Sequence, residues 1–158
     1  MIKKLNCLGW GDVEWVDSNM RTPNLNNLYN HTNTAVLYNA YVNFACSPSR
    51  SGLLTCRYPF KMGTGTGVFV QGGTGAVPLK YSFIGDELQN LGYITYMVGK
   101  WHLGYCNEKY TPVGRGFDHF FGLFQGEEDY FMHYSGMLTC PIYKSNNYAS
   151  LKATCYNT

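Results

Sequence analysis

An α/β fold, with a mostly parallel sheet flanked by helices, is what this chain of 158 residues predicts, and three observations carry the prediction. A helix start at Thr22-Pro23 precedes a stretch rich in Val and Tyr, Ala35 to Phe44, that reads as a strand. That strand delivers Cys46 at its C-terminal end, where open parallel sheets place their ligands. A second helix, Ser82 to Leu91, stops at Gly92 and leads straight into another β-rich stretch.

The elements follow in order. Pro23 suits the first position of a helix, since its fixed φ is already helical and its missing N–H has no partner to lose there. After the strand, Cys46-Ser47-Pro48-Ser49-Arg50 reads as a bend into a helix, with Pro48 near the first helical position and Leu53-Leu54 on a buried face. Thr64 to Gly75 holds enough glycines to suggest a phosphate loop. It lacks a Walker lysine and a following helix, so it reads as a mobile surface loop. The Ser82 to Leu91 helix buries Ile84, Leu88 and Leu91, spaced four and then three. From Tyr93 the chain reads as a strand ending in a turn that presents Lys100 and His102. Lys144 to Thr158, rich in Asn, Ser and Tyr, reads as a partly disordered tail.

Composition excludes several classes. A net charge of +2 with 14% charged residues, and no basic cluster denser than Lys3-Lys4, argues against a nucleic-acid or membrane-surface protein. No apolar run approaches the length of a membrane span, and the N-terminus carries no hydrophobic signal stretch. Aromatic residues make up 16%, with 14 Tyr; most read as core and cleft wall, some as platforms for sugar rings. The six cysteines show no C-x-x-C pair and no His-x-x-x-His set, which removes zinc. Asn30-His31-Thr32 is a glycosylation sequon.

The chemistry concentrates at Cys46. A helix N-terminus presents unpaired amides and a positive dipole end, and Arg50, one turn on, adds a guanidinium that can hold sulfate or phosphate oxygens. On pattern alone a lone cysteine before a helix is as a rule buried and inert. Lys100 and His102 on pattern alone read as a solvated lysine and a histidine satisfied beside Trp101.

The run Cys46 to Arg50, continued by Leu53, Thr55 and Arg57, resembles the sulfatase signature C-[ST]-P-S-R-x-x-L-x-T-G-R, with Cys56 in place of its glycine. Gly92 to Gly104 is similar to the second sulfatase signature, without a departure. Leu8-Gly9-Trp10-Gly11-Asp12-Val13, Thr22-Pro23-Asn24-Leu25 and Arg115-Gly116-Phe117-Asp118 resemble further family blocks. Gly126 to Tyr130 with His133 looks most like the animal arylsulfatase B branch, which acts on sulfated N-acetylgalactosamine in glycosaminoglycans. The resemblance implies an alkaline-phosphatase-like sulfatase fold, incomplete in this chain, with residues 1–158 as the N-terminal part of a catalytic domain.

It also implies a site. Cys46 is oxidised by a formylglycine-generating enzyme to formylglycine, which is both nucleophile and metal ligand. Arg50 helps lower its pKa, Lys100 contacts the sulfate and the aldehyde hydrate, and His102 hydrogen-bonds a hydroxyl of that hydrate. The substrate is a sulfated carbohydrate or an aryl sulfate, and the setting is lysosomal or secreted. The cofactor is calcium, bound in the family by an Asp-Asp pair ahead of L-G-W. Asn6 and Cys7 stand at those positions, an amide and a thiol where a hard cation wants carboxylates. The first strand is short, Met1 to Leu5, and the family's further ligands, an Asp-Asn pair, fall beyond Thr158. With Cys46 set aside, five cysteines remain, so at least one is free or pairs with a missing segment. The resemblance makes Cys140 and Cys155 a pair.

Three functions fit these residues differently. An arylsulfatase needs the intact Cys46 and Lys100 blocks. A pseudosulfatase that binds sulfated glycans without turnover is favoured by Asn6 and Cys7. A phosphodiesterase of the same superfold calls for Thr or Ser at the nucleophile, and Cys46 argues against it.

Overall fold

The computed structural model describes residues 8–127, 129, 131 and 143–145, in two compact units, residues 1–42 and 43–158. In the first unit Pro23 opens α1 (Pro23–Tyr29) at its first position, as the proline predicts. None of its residues is buried. Its anchor is Tyr29, which stacks on Trp15 with ring centroids 4.6 Å apart and shares a 2.7 Å hydrogen bond with the Tyr38 hydroxyl.

The strand expected over 35–44 does not form. That stretch is irregular, and its apolar side chains are open to solvent, Phe44 at 91%. Val and Tyr favour a strand only where a neighbour takes their backbone groups and a face takes their side chains. None of the described strands pairs with it.

The second unit holds α2 (Cys46–Thr55), α3 (Pro59–Met62), α4 (Ile84–Asn90), β1 (Tyr96–Val98), β2 (His119–Gly122) and β3 (Tyr143–Ser145). The sheet runs in the order β1-β2-β3, with β1 parallel to β2 and β2 antiparallel to β3. Parallel strands need a crossover of a dozen or more residues. Here it carries two short 3₁₀ turns, Glu108–Tyr110 and Val113–Arg115, in place of an α-helix.

Two of the expected boundaries shift. α4 starts after Phe83, whose N–H donates to the Asp86 carboxylate at 2.7 Å and so satisfies one of the unpaired groups at the helix start. Ile84 packs on the core, whereas Leu91 lies past the helix end and is 74% exposed. The strand read from Tyr93 begins only at Tyr96.

The core of this unit joins Met62, Val77, Phe83, Trp101, Leu103, Phe117, Phe120 and Phe124. Trp101, fully buried, is its centre: its ring lies 5.4 Å from Phe83 and meets Phe117 edge-on at 6.3 Å. Its indole N–H, which would be costly to bury unpaired, donates to the carbonyls of Gly104 and Tyr110 at 2.9 and 3.0 Å.

This packing carries the chain past β1 toward the site. The amides of Gly99, Trp101 and His102 donate to the carbonyls of Phe121, Leu123 and Phe124 at 2.8, 2.8 and 2.9 Å, so the ladder continues beyond the strand. Gly122 permits it, because a Cβ there would collide with the Gly99 carbonyl.

Candidate active site

Cys46 is the first residue of α2, and Ala45 before it is extended and offers no side-chain cap. The first helical bond runs from the Ser49 N–H to the Ala45 carbonyl at 3.1 Å. Pro48 has no N–H to satisfy, so it sits in this first turn without cost. The helix N-terminus is therefore left to whatever anion approaches it.

The buried face of α2 is polar and small, Ser47, Pro48, Arg50, Ser51 and Thr55, while Leu53 is 44% exposed. This corrects the expectation that Leu53-Leu54 form the buried face; of the two, only Leu54 packs against the core. Buried hydroxyls need partners, and these have them. Ser51 Oγ donates to the Pro48 carbonyl at 2.9 Å and shares a 2.9 Å bond with Thr64 Oγ1, and Thr55 Oγ1 donates to the Ser51 carbonyl at 2.6 Å.

Lys100 and Cys46, far apart in sequence, meet here. The Lys100 ammonium donates to Cys46 Sγ at 3.0 Å, with both side chains partly exposed. Arg50 lies underneath at 7% exposure; its Nε donates to the Trp101 carbonyl at 2.7 Å and its Nη2 to the Lys100 carbonyl. From its place one turn past Cys46 the guanidinium is expected to hold sulfate or phosphate oxygens, and its Nε–Nη2 edge is one it could use. That edge is taken instead by the backbone of the segment that carries Lys100, so Arg50 ties α2 to that segment.

His102 is also 7% exposed, in the left-handed region at φ 57, an uncommon conformation for a residue with a Cβ. Its Nε2 lies 3.0 Å from the Phe69 carbonyl, and its Nδ1 is buried with no partner among the described residues. Gly126 leaves room for the ring: a Cβ there would stand 2.7 Å from His102 Cε1.

The electrostatics are those of an anion site. Burial pushes the His102 imidazole below its ordinary value; the Phe69 carbonyl opposes this, and Lys100 and Arg50 add to it as like charges. His102 is accordingly neutral near pH 7. Burial also pulls the Arg50 guanidinium down, with Cys46 acting the other way. Two cations and a helix N-terminus thus surround Cys46, and the same two cations face the neutral imidazole of His102.

Calcium, which the family resemblance implies, takes six to eight oxygen ligands. Among the described residues no three His, Cys, Asp or Glu group closely enough to hold a metal ion. Asn6 and Cys7 lie outside the described residues, as do Cys140, Cys155 and His133.

Two further parts of the site escaped sequence reasoning. The Ser47 hydroxyl donates to the His102 carbonyl at 2.8 Å and accepts from the Phe69 N–H at 3.1 Å. In the sequence Ser47 reads only as a small residue suited to a bend. Phe69 falls in the glycine-rich stretch that reads as a surface loop, yet its side chain packs on the core and its peptide unit holds both Ser47 and His102. No residue type signals a backbone carbonyl in advance.

Cys56 occupies the C-cap of α2 at φ 53, in the left-handed conformation. A side chain there costs about 1 kcal/mol relative to glycine. The glycine of the signature therefore has a local backbone reason.

A family model described as Sulfatase matches residues 7–156. Arylsulfatase J of Mus musculus is 35% identical over 89% of this chain and 24% of its own length. Arylsulfatase A of Homo sapiens is 38% identical over 73% of the chain and 23% of its own length. Among solved structures, Ps i-CgsB superimposes with a TM-score of 0.70 at 35% identity, covering 78% of this chain and 27% of that one. The PsFucS1 sulfatase from Pseudoalteromonas sp. gives 0.63 at 30% identity, covering 76% and 24%. The chain thus spans about a quarter of the length of the curated relatives it matches. With a family model covering nearly all of it, and solved structures of the same fold at this level of identity, the chain belongs to the sulfatase family.

Proposed function

We propose that this chain carries the nucleophile half of a sulfuric ester hydrolase, an arylsulfatase acting on sulfated sugars in the manner of the arylsulfatase B branch. The observation that carries the reading is the Lys100 ammonium 3.0 Å from Cys46 Sγ at an uncapped helix N-terminus. Oxidation of Cys46 to formylglycine supplies, once hydrated, a hydroxyl able to attack sulfur. Lys100 lies where it can hold charge on the sulfuryl oxygens. His102, neutral and with an Nδ1 that has no partner among the described residues, can accept a hydrogen bond from a hydroxyl of the hydrate. Arg50 acts by position: through the Trp101 and Lys100 carbonyls it sets where the lysine stands.

A carbohydrate substrate is supported by the solved complex of Ps i-CgsB with k-i-k-neocarrahexaose, a chain 37% identical with a TM-score of 0.52. A lysosomal or secreted setting follows from the family, and Asn30 of the sequon is exposed at the end of α1. Among the described residues no helix is long and apolar enough to cross a membrane. The second reading, glycan binding without turnover, draws on Asn6 and Cys7, an amide and a thiol at the positions where the family resemblance implies metal-binding carboxylates.

Modification of Cys46 tests the reading. The chain is expressed through a eukaryotic secretory pathway, deglycosylated and digested, and the Thr22 to Arg50 peptide is weighed. Conversion of the thiol to an aldehyde, seen as its mass loss, is the expected result. Cys56→Gly should raise the converted fraction and stabilise the chain by about 1 kcal/mol, through relief of the left-handed cysteine. Unmodified thiol in both chains contradicts the catalytic role and leaves only binding.

A further inference from the structure

The Ser47 hydroxyl, fully buried, is engaged on both sides. It donates to the His102 carbonyl at 2.8 Å and accepts from the Phe69 N–H at 3.1 Å. The carbonyl of the same Phe69 lies 3.0 Å from His102 Nε2. Ser47, Phe69 and His102 thus close a ring of three hydrogen bonds in which the histidine is held at its carbonyl and at its imidazole. A carbonyl oxygen can only accept, so a neutral imidazole here carries its proton on Nε2. Nδ1 is then a bare lone pair, buried and without a partner among the described residues. The charged groups facing the ring, Lys100 and Arg50, are both cations and disfavour a second proton. The left-handed backbone of His102 is a conformation that persists only where its surroundings fix it.

We propose that Ser47 is a positioning residue, which through the Phe69 peptide and the His102 carbonyl fixes His102 as its Nε2–H tautomer with Nδ1 free to accept a proton. That this acceptor serves catalysis rests on the sulfatase reading of the Cys46 site; the tautomer itself does not.

Imidazole nitrogen NMR on the isotopically labelled chain reads the tautomer without substrate. In the unsubstituted chain Nε2 should be protonated and Nδ1 bare. Ser47→Ala removes both bonds and should raise the share of the Nδ1–H tautomer by about fivefold, the scale of one lost hydrogen bond. Ser47→Thr keeps the hydroxyl and should restore the original distribution. Ser47→Cys keeps the shape with a weak donor and should shift it in the same direction as alanine, which decides the matter if the alanine chain does not fold. An Nδ1–H tautomer in the unsubstituted chain, or an unchanged tautomer in a folded alanine or cysteine variant, overturns the proposal. Neither outcome bears on whether Cys46 is converted, so the two readings fail separately.

Discussion

Lys100→Ala should lower sulfate-ester turnover by about a hundredfold or more, equivalent to about 2.7 kcal/mol of transition-state stabilisation. The ammonium stands 3.0 Å from Cys46 Sγ, which marks where the reacting atoms gather. The second cation, Arg50, has Nε and Nη2 engaged by backbone carbonyls, so it cannot take over the contact by turning that edge toward the substrate. Lys100→Arg should not rescue, because a planar fork on a longer stem does not place its charge at the point an ammonium occupies. The loss should fall mainly on kcat, since the charge that Lys100 meets grows as the ester bond breaks. The measurement is steady-state hydrolysis of an aryl sulfate by a form of the protein that turns over. Near-unchanged kcat would place the lysine outside the reacting centre.

Arg50→Met should destabilise the fold by about 2–3 kcal/mol. The substitution fills a similar volume but leaves the Trp101 and Lys100 carbonyls without their donor, and each buried unpaired group costs about 1–3 kcal/mol. Release of a charge buried without a carboxylate partner among the described residues offsets part of this. In a chain of this size the balance corresponds to a fall in Tm of roughly 5–10 °C in thermal denaturation. Arg50→Lys should recover little, since one ammonium cannot reproduce the paired Nε and Nη2 donors. A stability unchanged within about 0.5 kcal/mol would mean that the arginine does not tie α2 to the Lys100 segment.

The Arg50 expectation differs from what the sequence suggests for that residue, and the difference has a physical cause. Cys46 at the start of a helix, α1 beginning at Pro23, and the parallel strand leading to Lys100 were legible, because proline geometry and helix ends are local properties. The role of Arg50 was not. Its acceptors are backbone carbonyls some fifty residues away, and a carbonyl leaves no mark in residue type. Ser47 and Phe69 were missed for the same reason. The stretch 35–44 failed in the opposite direction: its Val and Tyr content was legible, but a strand requires a neighbour that the described sheet does not supply. Leu53 and Leu91 show the limit of apolar periodicity, since both have helix-like spacing and both face solvent.

The most direct test of the site is sulfate itself. In the proposed site the start of α2 and the Lys100 ammonium together hold an oxyanion beside Cys46. Titration of the labelled chain with sodium sulfate, followed by NMR at constant ionic strength, should shift the amide signals of Cys46 and Ser47 and the Lys100 ammonium signal along one saturating curve. Lys100→Ala should weaken that curve by about tenfold, the scale of one charge-assisted contact. Sulfate that leaves Cys46, Ser47 and Lys100 unmoved, or that binds the alanine variant equally well, would contradict the account.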